Sequence, residues 1–537
     1  MQEEAAALPG VGSGRGYLEE KGFWSWALTL DHKRIGVMYL FTTILFFLVG
    51  GVFGLLIRIE LLKPVSWLFS PQTYNELFTM HGTILIFLFV IPAIPSGLGN
   101  FFIPLLIGAR DVAFPRINII SYWVFILGII VVLGSLARPM DTGWTFYTPY
   151  SAKTDAAVTA LSLGVFMIGM SSILTGLNFI VTIHKLRARG MDWFKLPLFI
   201  WAMYATSIIQ VVATPVIGMT FLMLAAERVL GIGFFDPAKG GDPLLFQHFF
   251  WFYSHPVVYV MILPAMGVIT EIIPTFSKKP IFGYKAIAYS SLALAFAGFL
   301  VWGHHMFTAG MSVIADTIFS ILTFSVAIPT GIKVFNWIAT LYKGNISLDS
   351  PMIYSLSFIF LFIIGGLSGM FLGSLATDVE VHNTYFLVAH FHYTMVGGTV
   401  MGFFAGLHYW FPKMTGRMFN EKLAKVAWAL TFVGFNITFF TMFITGYKGM
   451  PRRFAEYLPM YQPENIISSI GSAIMAVGVG IIVVNFINGI YKGVTAPANP
   501  WGGRTLEWQV PSPPPTHNFD TLPVVTEWPY GYGRKQD

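Results

Sequence analysis

HFFWFYSHPVVYV, residues 248–260, sets a histidine, a proline and a tyrosine inside a run otherwise apolar and aromatic enough to lie in lipid. An imidazole at that depth is costly, and an ionisable group within a membrane span is by default a functional-site hypothesis. His255 and Tyr259 stand four residues apart, one turn along the same face of a helix. Whether the stretch belongs to a membrane bundle depends on the rest of the chain.

The composition answers that question. Of 537 residues, 55% are hydrophobic and 11% charged, and the mean hydropathy is +0.67, the profile of an integral membrane protein. With no cysteine, disulfides, thiolate-bound zinc, iron–sulfur clusters and cysteine-ligated copper are excluded. Any metal must then rest on histidine, carboxylate or oxygen, which makes the 12 histidines the residues to map. Residues 1–22 hold no apolar core followed by a small-residue cleavage site, so no cleavable signal is expected there.

Apolar runs of roughly 20 residues or more recur along the chain. They predict about twelve spans, near 36–58, 75–107, 117–136, 157–185, 197–227, 245–275, 284–304, 312–342, 352–374, 385–412, 423–446 and 466–492. The even-numbered joints carry the basic residues, among them Arg110, Arg116, Lys185, Arg187, Arg189, Lys278, Lys279, Lys413 and Arg417. By the positive-inside rule both termini then face the cytoplasm. GMPRRF breaks the trend, placing Arg452 and Arg453 side by side on the outer face and suggesting a local anion. There is no obvious internal repeat. The expected organisation is a cytoplasmic segment over 1–30, one helical membrane domain over 31–493 and a Pro-rich cytoplasmic tail over 494–537, because only helices satisfy so much backbone within lipid.

Six histidines fall inside or at the ends of these spans: His81, His255, His304, His305, His390 and His392. One alone reads as an interhelical hydrogen bond; six on four spans do not. His390 and His392 are two residues apart, which sets their side chains about 200° apart on a helix, so they serve different cofactors. His304 and His305, adjacent beside Gly303 at a helix end, can turn toward one ion. With His255 they form a three-nitrogen set suited to copper or zinc. His81 is left to pair with one histidine of the tenth span around a bis-histidine haem. The remaining histidine would hold a five-coordinate haem.

Here the chain resembles subunit I of a haem–copper terminal oxidase of the A type. The resemblance runs from about residue 25 to 515, through WALTLDHKRIG, MHGTILIFLFVIP, GARDVAFPRIN, HFFWFYSHPVVY, WGHHMF, IPTGIKVFNW, VHNTYFLVAHFHY and GMPRRF. It implies that His81 and His392 ligate a low-spin haem, His390 a high-spin haem, and His255, His304 and His305 a copper ion. It also implies that Tyr259 is joined covalently to His255. Arg452 and Arg453 match the pair that binds haem propionates through charge-assisted bonds, and Arg58 the residue bonding the formyl group of haem A. His382 and Asn383 lie where relatives bind magnesium with a second subunit, through His-Asp; asparagine keeps an oxygen there and loses the charge.

Two proton routes are expected. Lys333 is a lysine in the middle of an apolar helix, suited to a proton relay, with the Thr330 hydroxyl one turn away; in the family this lysine feeds the active-site tyrosine. The second route begins in the family at an aspartate matched by Asp111, lined by Asn100 and Asn118, with Ile119 where many relatives have a second asparagine. At its far end common members carry a glutamate after His-Pro, and this chain has Val257. Tyr253 lies four residues earlier on the same face, with Ser254 beside it. A subgroup of the family carries this Tyr-Ser pair, and it is expected to substitute for the carboxylate. Pro256 frees the carbonyl of Phe252, an irregularity able to hold water. Trp251 and Trp302 are expected only to pack.

The implied activity is reduction of O2 to water, coupled to proton pumping, in the inner membrane of a bacterial cell. Electrons would come from cytochrome c through a subunit II carrying a dinuclear copper centre, with subunit III and small subunits alongside and no nucleic-acid partner. A transporter would more often show a repeat, and a cytochrome b needs no three-histidine site. Nitric oxide reductases of the same frame lack the family's tyrosine and lysine, so Tyr259 and Lys333 argue against that alternative. Quinol oxidases place Arg and Asp around the first two helices, and FTTILFFLVGGVFGLLI has neither.

Overall fold

The computed structural model describes residues 16–135, 138 and 140–533. The first fifteen residues of the expected N-terminal segment and the last four of the tail lie outside the described residues. Those described form helices and connecting turns, with only isolated β-bridges such as Gly16 with Pro515.

Among the described residues, ten helices are long and apolar enough to cross a membrane. They are α1 (His32–Glu60), α2 (Pro71–Ile107), α3 (Pro115–Gly134), α4 (Val158–Lys185), α5 (Leu198–Leu230), α6 (Pro243–Ser277), α8 (Val313–Leu341), α9 (Ser350–Gly373), α11 (Glu421–Tyr447) and α12 (Gln462–Lys492). Two further expected spans are built differently. The seventh is a shorter helix, α7 (Tyr284–Gly298), and ends before the adjacent histidines rather than at them. The tenth, α10 (385–415), is two α-helical pieces joined by a π-helical turn over Met395–Val400.

Local chemistry sets the ends. Asp31, Ser70, Asp242, Ser312 and Asn420 cap α1, α2, α6, α8 and α11 by accepting a backbone N–H of the first turn, satisfying donors that have no partner within the helix. Neighbouring helices pack closely where side chains are small. A Cβ on Gly434 of α11 would come within 2.4 Å of the Met475 backbone nitrogen on α12.

Helix α6 is the centre of the bundle: 94% of its most apolar window is buried, against 11% for α8, which presents its side chains outward. α6 therefore needs no polar face, and it carries Pro256, Pro264 and Pro274 without breaking. α2 passes through π-helical turns over Ile84–Val90 and Ala93–Gly99, just after His81, where Pro92 and Pro95 cannot donate to a regular ladder. Such turns gather at functional sites. The tail crosses the ends of several helices and bonds to them: Tyr530 Oη donates to Glu271 Oε1 of α6 at 2.6 Å, and the Val510 backbone carbonyl accepts from Lys413 Nζ of α10 at 2.6 Å.

Candidate haem–copper site

His255 projects from the middle of α6. His304 and His305 sit on a single 3₁₀ turn, Trp302–Met306, beyond the end of α7. One ligand nitrogen from each of the three lies within 4.8 Å of the others, the one such cluster of His and acidic side chains among the described residues. His255 Nδ1 and His305 Nε2 face each other at 3.0 Å, as two nitrogens aimed at one ion do.

The surrounding residues fix each ring. Thr323 Oγ1 donates to the Phe319 carbonyl at 2.6 Å and so accepts from Nδ1 of His304 at 2.9 Å; the proton is on Nδ1, and the lone pair on Nε2 is left for a metal. Trp251 stacks on His305 with centroids 3.7 Å apart and planes 7° from parallel, while its indole N–H donates to Tyr147 Oη at 2.5 Å. It is more than packing: it sets the plane of the His305 ring. Trp302 contacts Phe252 and Phe319 and donates to His248 Nδ1 at 3.2 Å. Tyr259 Oη lies 3.2 Å from His255 Nε2, so the two nitrogens of His255 face different partners.

His390 and His392 leave α10 toward different neighbours. His390 Nδ1 donates to Gly365 O of α9 at 3.0 Å with Ser368 Oγ at 3.1 Å. The His392 ring stacks on Phe439 of α11 at 4.1 Å, and its Nδ1 donates to Val388 O at 2.8 Å. His81 Nδ1 donates to Gly50 O of α1 at 2.8 Å. In all three the outer nitrogen remains for a metal. His390 lies within electrostatic range of His304, and His81 of His392.

A family profile described as "Cytochrome C and Quinol oxidase polypeptide I" matches residues 34–474. The chain belongs to this family. It is 47% identical to cytochrome c oxidase subunit 1 of Thermostichus vulcanus over 96% of this chain and 95% of that one. It is 43% identical to cytochrome c oxidase subunit 1 of Bacillus subtilis over 94% of this chain and 82% of that one. A chain of a heme-copper terminal oxidase dimer solved by cryo-EM shares the fold, with a TM-score of 0.72, 21% identity, and coverage of 86% of this chain and 84% of that one. As a polypeptide I of this family, the chain is the multi-pass catalytic subunit of a terminal oxidase, a complex with other subunits that carries haem and copper.

Within this oxidase subunit the arginines are held inward. Arg58 is buried, not snorkelling: its Nη2 donates to Asn465 O at 2.7 Å, Asn465 Oδ1 at 3.1 Å and Ser469 Oγ at 3.2 Å, while Nε and Nη1 have no protein partner. Arg452 Nη2 donates to Asn383 Oδ1 at 2.7 Å, and its buried Nε is also unpartnered. Arg453 lies over the Phe78 ring at 5.6 Å. His382 Nδ1 pairs with Asp378 Oδ2 at 2.6 Å, an acid the sequence reading did not single out.

Lys333 is 1% exposed, and its Nζ donates to Ser291 Oγ at 2.7 Å and Ile287 O at 3.2 Å on α7. Thr330 returns its hydroxyl to Val326 O at 2.9 Å, so Ser291 is the nearer polar partner. Asp111 sits in the α2–α3 joint and accepts from Val112 N at 2.6 Å. Burial, first, and the neighbouring Asp31 raise its carboxyl to about 7, against the opposing pull of the Val112 N–H and Lys33. Asn100 Oδ1, both amide atoms of Asn118 and Ser254 Oγ are buried without a protein partner. Tyr39 Oη, bonded to Ser121 Oγ at 3.2 Å and Ser171 Oγ at 3.0 Å, joins α1, α3 and α4 by hydroxyls that were missed, because single hydroxyls on apolar spans carry no spacing signal.

Proposed function

We propose that this subunit reduces O2 to water with electrons from cytochrome c, delivered through a copper-bearing subunit II, and moves protons across a bacterial inner membrane as it does so. The observation that carries the reading is the convergence of His255, His304 and His305 within 4.8 Å, with Tyr259 Oη 3.2 Å from His255. Copper would rest on His255, His304 and His305, a high-spin haem iron on His390, and a low-spin haem iron on His81 and His392. Bound there, two haem irons and one copper supply the redox equivalents and the oxygen-binding position.

The donor set fits those groups. The Nδ1 of each haem histidine is committed to a carbonyl, which orients Nε2 and raises its basicity. The unpartnered donors of Arg58 suit the formyl oxygen of haem A, and Arg452 with Arg453 suits propionates. Tyr259, joined to His255 when mature, holds a proton and an electron beside the oxygen position. Lys333 passes protons toward Tyr259 with Thr330 and Ser291, and Asp111, Asn100, Asn118, Tyr253 and Ser254 serve the second route. Magnesium at the boundary with a partner subunit would use His382 and Asn383. Asn383 keeps one lone pair after bonding Arg452, and Asp378, paired with His382, is a nearby negative charge of this chain. Twelve spans with both termini cytoplasmic, a subunit III and further small subunits complete the assembly.

Metal analysis of the purified complex, a reduced-minus-oxidised spectrum and parallel assays with cytochrome c and quinol test this. One copper beyond the subunit II centre, two haem A and cytochrome c oxidation are expected. Non-haem iron in place of copper, or activity with quinol alone, overturns the reading.

A further inference from the structure

The tail closes on the start of α1 through one residue. Asn518 is 0% exposed and holds φ at +61°, in the left-handed region that asparagine tolerates better than most side chains. Its amide is fully used. Nδ2 donates to Ala109 O at 2.9 Å and to His32 Nε2 at 2.8 Å, and Oδ1 accepts from Lys33 Nζ at 2.8 Å.

His32 Nδ1 lies 2.7 Å from the backbone carbonyl of Asn100, which can only accept. The proton is therefore on Nδ1, and Nε2 is the acceptor Asn518 requires. One chain of hydrogen bonds then runs from the tail through His32 to Asn100. The same knot borders Asp111: Ala109, whose carbonyl Asn518 holds, is two residues before it, and the Lys33 charge acts on its carboxylate. Lys33, which Asn518 also grips, pairs with Asp31 at 3.0 Å.

We propose that Asn518 is a positioning residue for proton uptake at Asp111, clamping His32, Lys33 and the Ala109 carbonyl so that the aspartate and Asn100 keep a fixed relation at the start of the route. The proposal rests on the reading of Asp111 as that start. The amide takes up no proton itself; it holds the groups that border the carboxylate.

The test uses the intact oxidase carrying Asn518→Gly, which keeps the backbone conformation available and removes the amide, alone and combined with Asp111→Asn. The expected result is an unchanged haem spectrum and metal content, turnover reduced about fivefold, and no further loss when the change is added to Asp111→Asn. A merely structural defect would instead multiply with Asp111→Asn, and that outcome overturns the proposal, as does normal turnover of Asn518→Gly. Normal turnover of Asp111→Asn overturns the reading of Asp111 and the proposal with it; a slow Asp111→Asn beside a normal Asn518→Gly removes only the role of Asn518. Should the glycine variant not assemble, Asn518→Asp keeps the acceptor for Lys33 and loses both donors, with the same fivefold expectation and the same refutation.

Discussion

Gly303 separates Trp302 from the two adjacent ligand histidines, and Gly303→Ala should empty the copper position without touching a ligand. A Cβ there would lie 2.2, 2.4 and 2.5 Å from three ring atoms of Phe319. Carbon atoms sit comfortably at about 3.5 Å or more, so about 1.3 Å must be recovered by moving the ring or the turn. Phe319 is itself wedged against Trp302, with centroids 4.9 Å apart, so the displacement is shared. If the turn takes even a third, His304 and His305 shift by about 0.4 Å, beyond the roughly 0.2 Å tolerance of a metal–ligand distance. Overpacking costs about 1–3 kcal/mol of stability, which leaves the bundle folded. Copper and haem iron measured by elemental analysis should show normal haem and depleted copper, with turnover lowered in proportion. Phe319→Leu in the same chain should restore both by clearing the overlap. Full copper and normal turnover in Gly303→Ala, or failure of the second substitution to rescue, refutes the account of how the turn is held.

Ser291→Ala removes the 2.7 Å partner of Lys333 and should slow turnover about fivefold, less than Lys333→Met; an unchanged rate excludes Ser291 from the relay. Asp111, raised to about 7 mainly by burial, keeps its proton below that pH and loses it above. Turnover through its route should therefore decline as pH rises through about 7, and a pH profile of Asp111→Asn should lack that step; an identical profile contradicts it. Tyr253→Phe should lower both turnover and pumped protons per electron in proteoliposomes, and unchanged values in both would sink the role given to its hydroxyl.

The candidate ligand histidines stood out in the sequence because helical geometry makes spacing informative: two residues apart means opposite faces, and four means one face. What could not be read was whatever depends on a partner distant in the chain. Ser291 is one of two adjacent serines on an apolar helix, and only the packing of α8 shows which one faces Lys333. Trp251 gave no sign that it would lie flat on His305, since a tryptophan in a membrane helix is ordinary packing. The end of α7 at Gly298, before the histidines, was hidden because the apolar run continues unbroken past it. Asn518 sits in a Pro-rich stretch whose composition describes a surface tail, and its buried role arises from partners more than 400 residues away.

The replacement of a carboxylate by Val257 can be set beside the polar atoms that this subunit buries without a protein partner. Asn100 Oδ1 on α2, the Asn118 amide on α3, Ser162 Oγ on α4, Thr206 Oγ1 and Gln210 Oε1 on α5 and Ser254 Oγ on α6 all lack protein partners. A buried polar atom left unsatisfied costs about 1–3 kcal/mol, so each is tolerated only where water reaches it. Asn100, Asn118 and Ser254 are the residues proposed for the route from Asp111, and Ser254 is adjacent to His255. A glutamate stores a proton at one fixed position, whereas hydroxyls and amides bonded to water pass it along without holding charge. Proton transfer near Val257 should therefore depend on the continuity of the lining: Ser254→Ala, which interrupts it, should slow proton uptake more than Val257→Ile, which alters only apolar volume. The reverse order would show that the valine side chain, and not the hydroxyls before it, governs the last step.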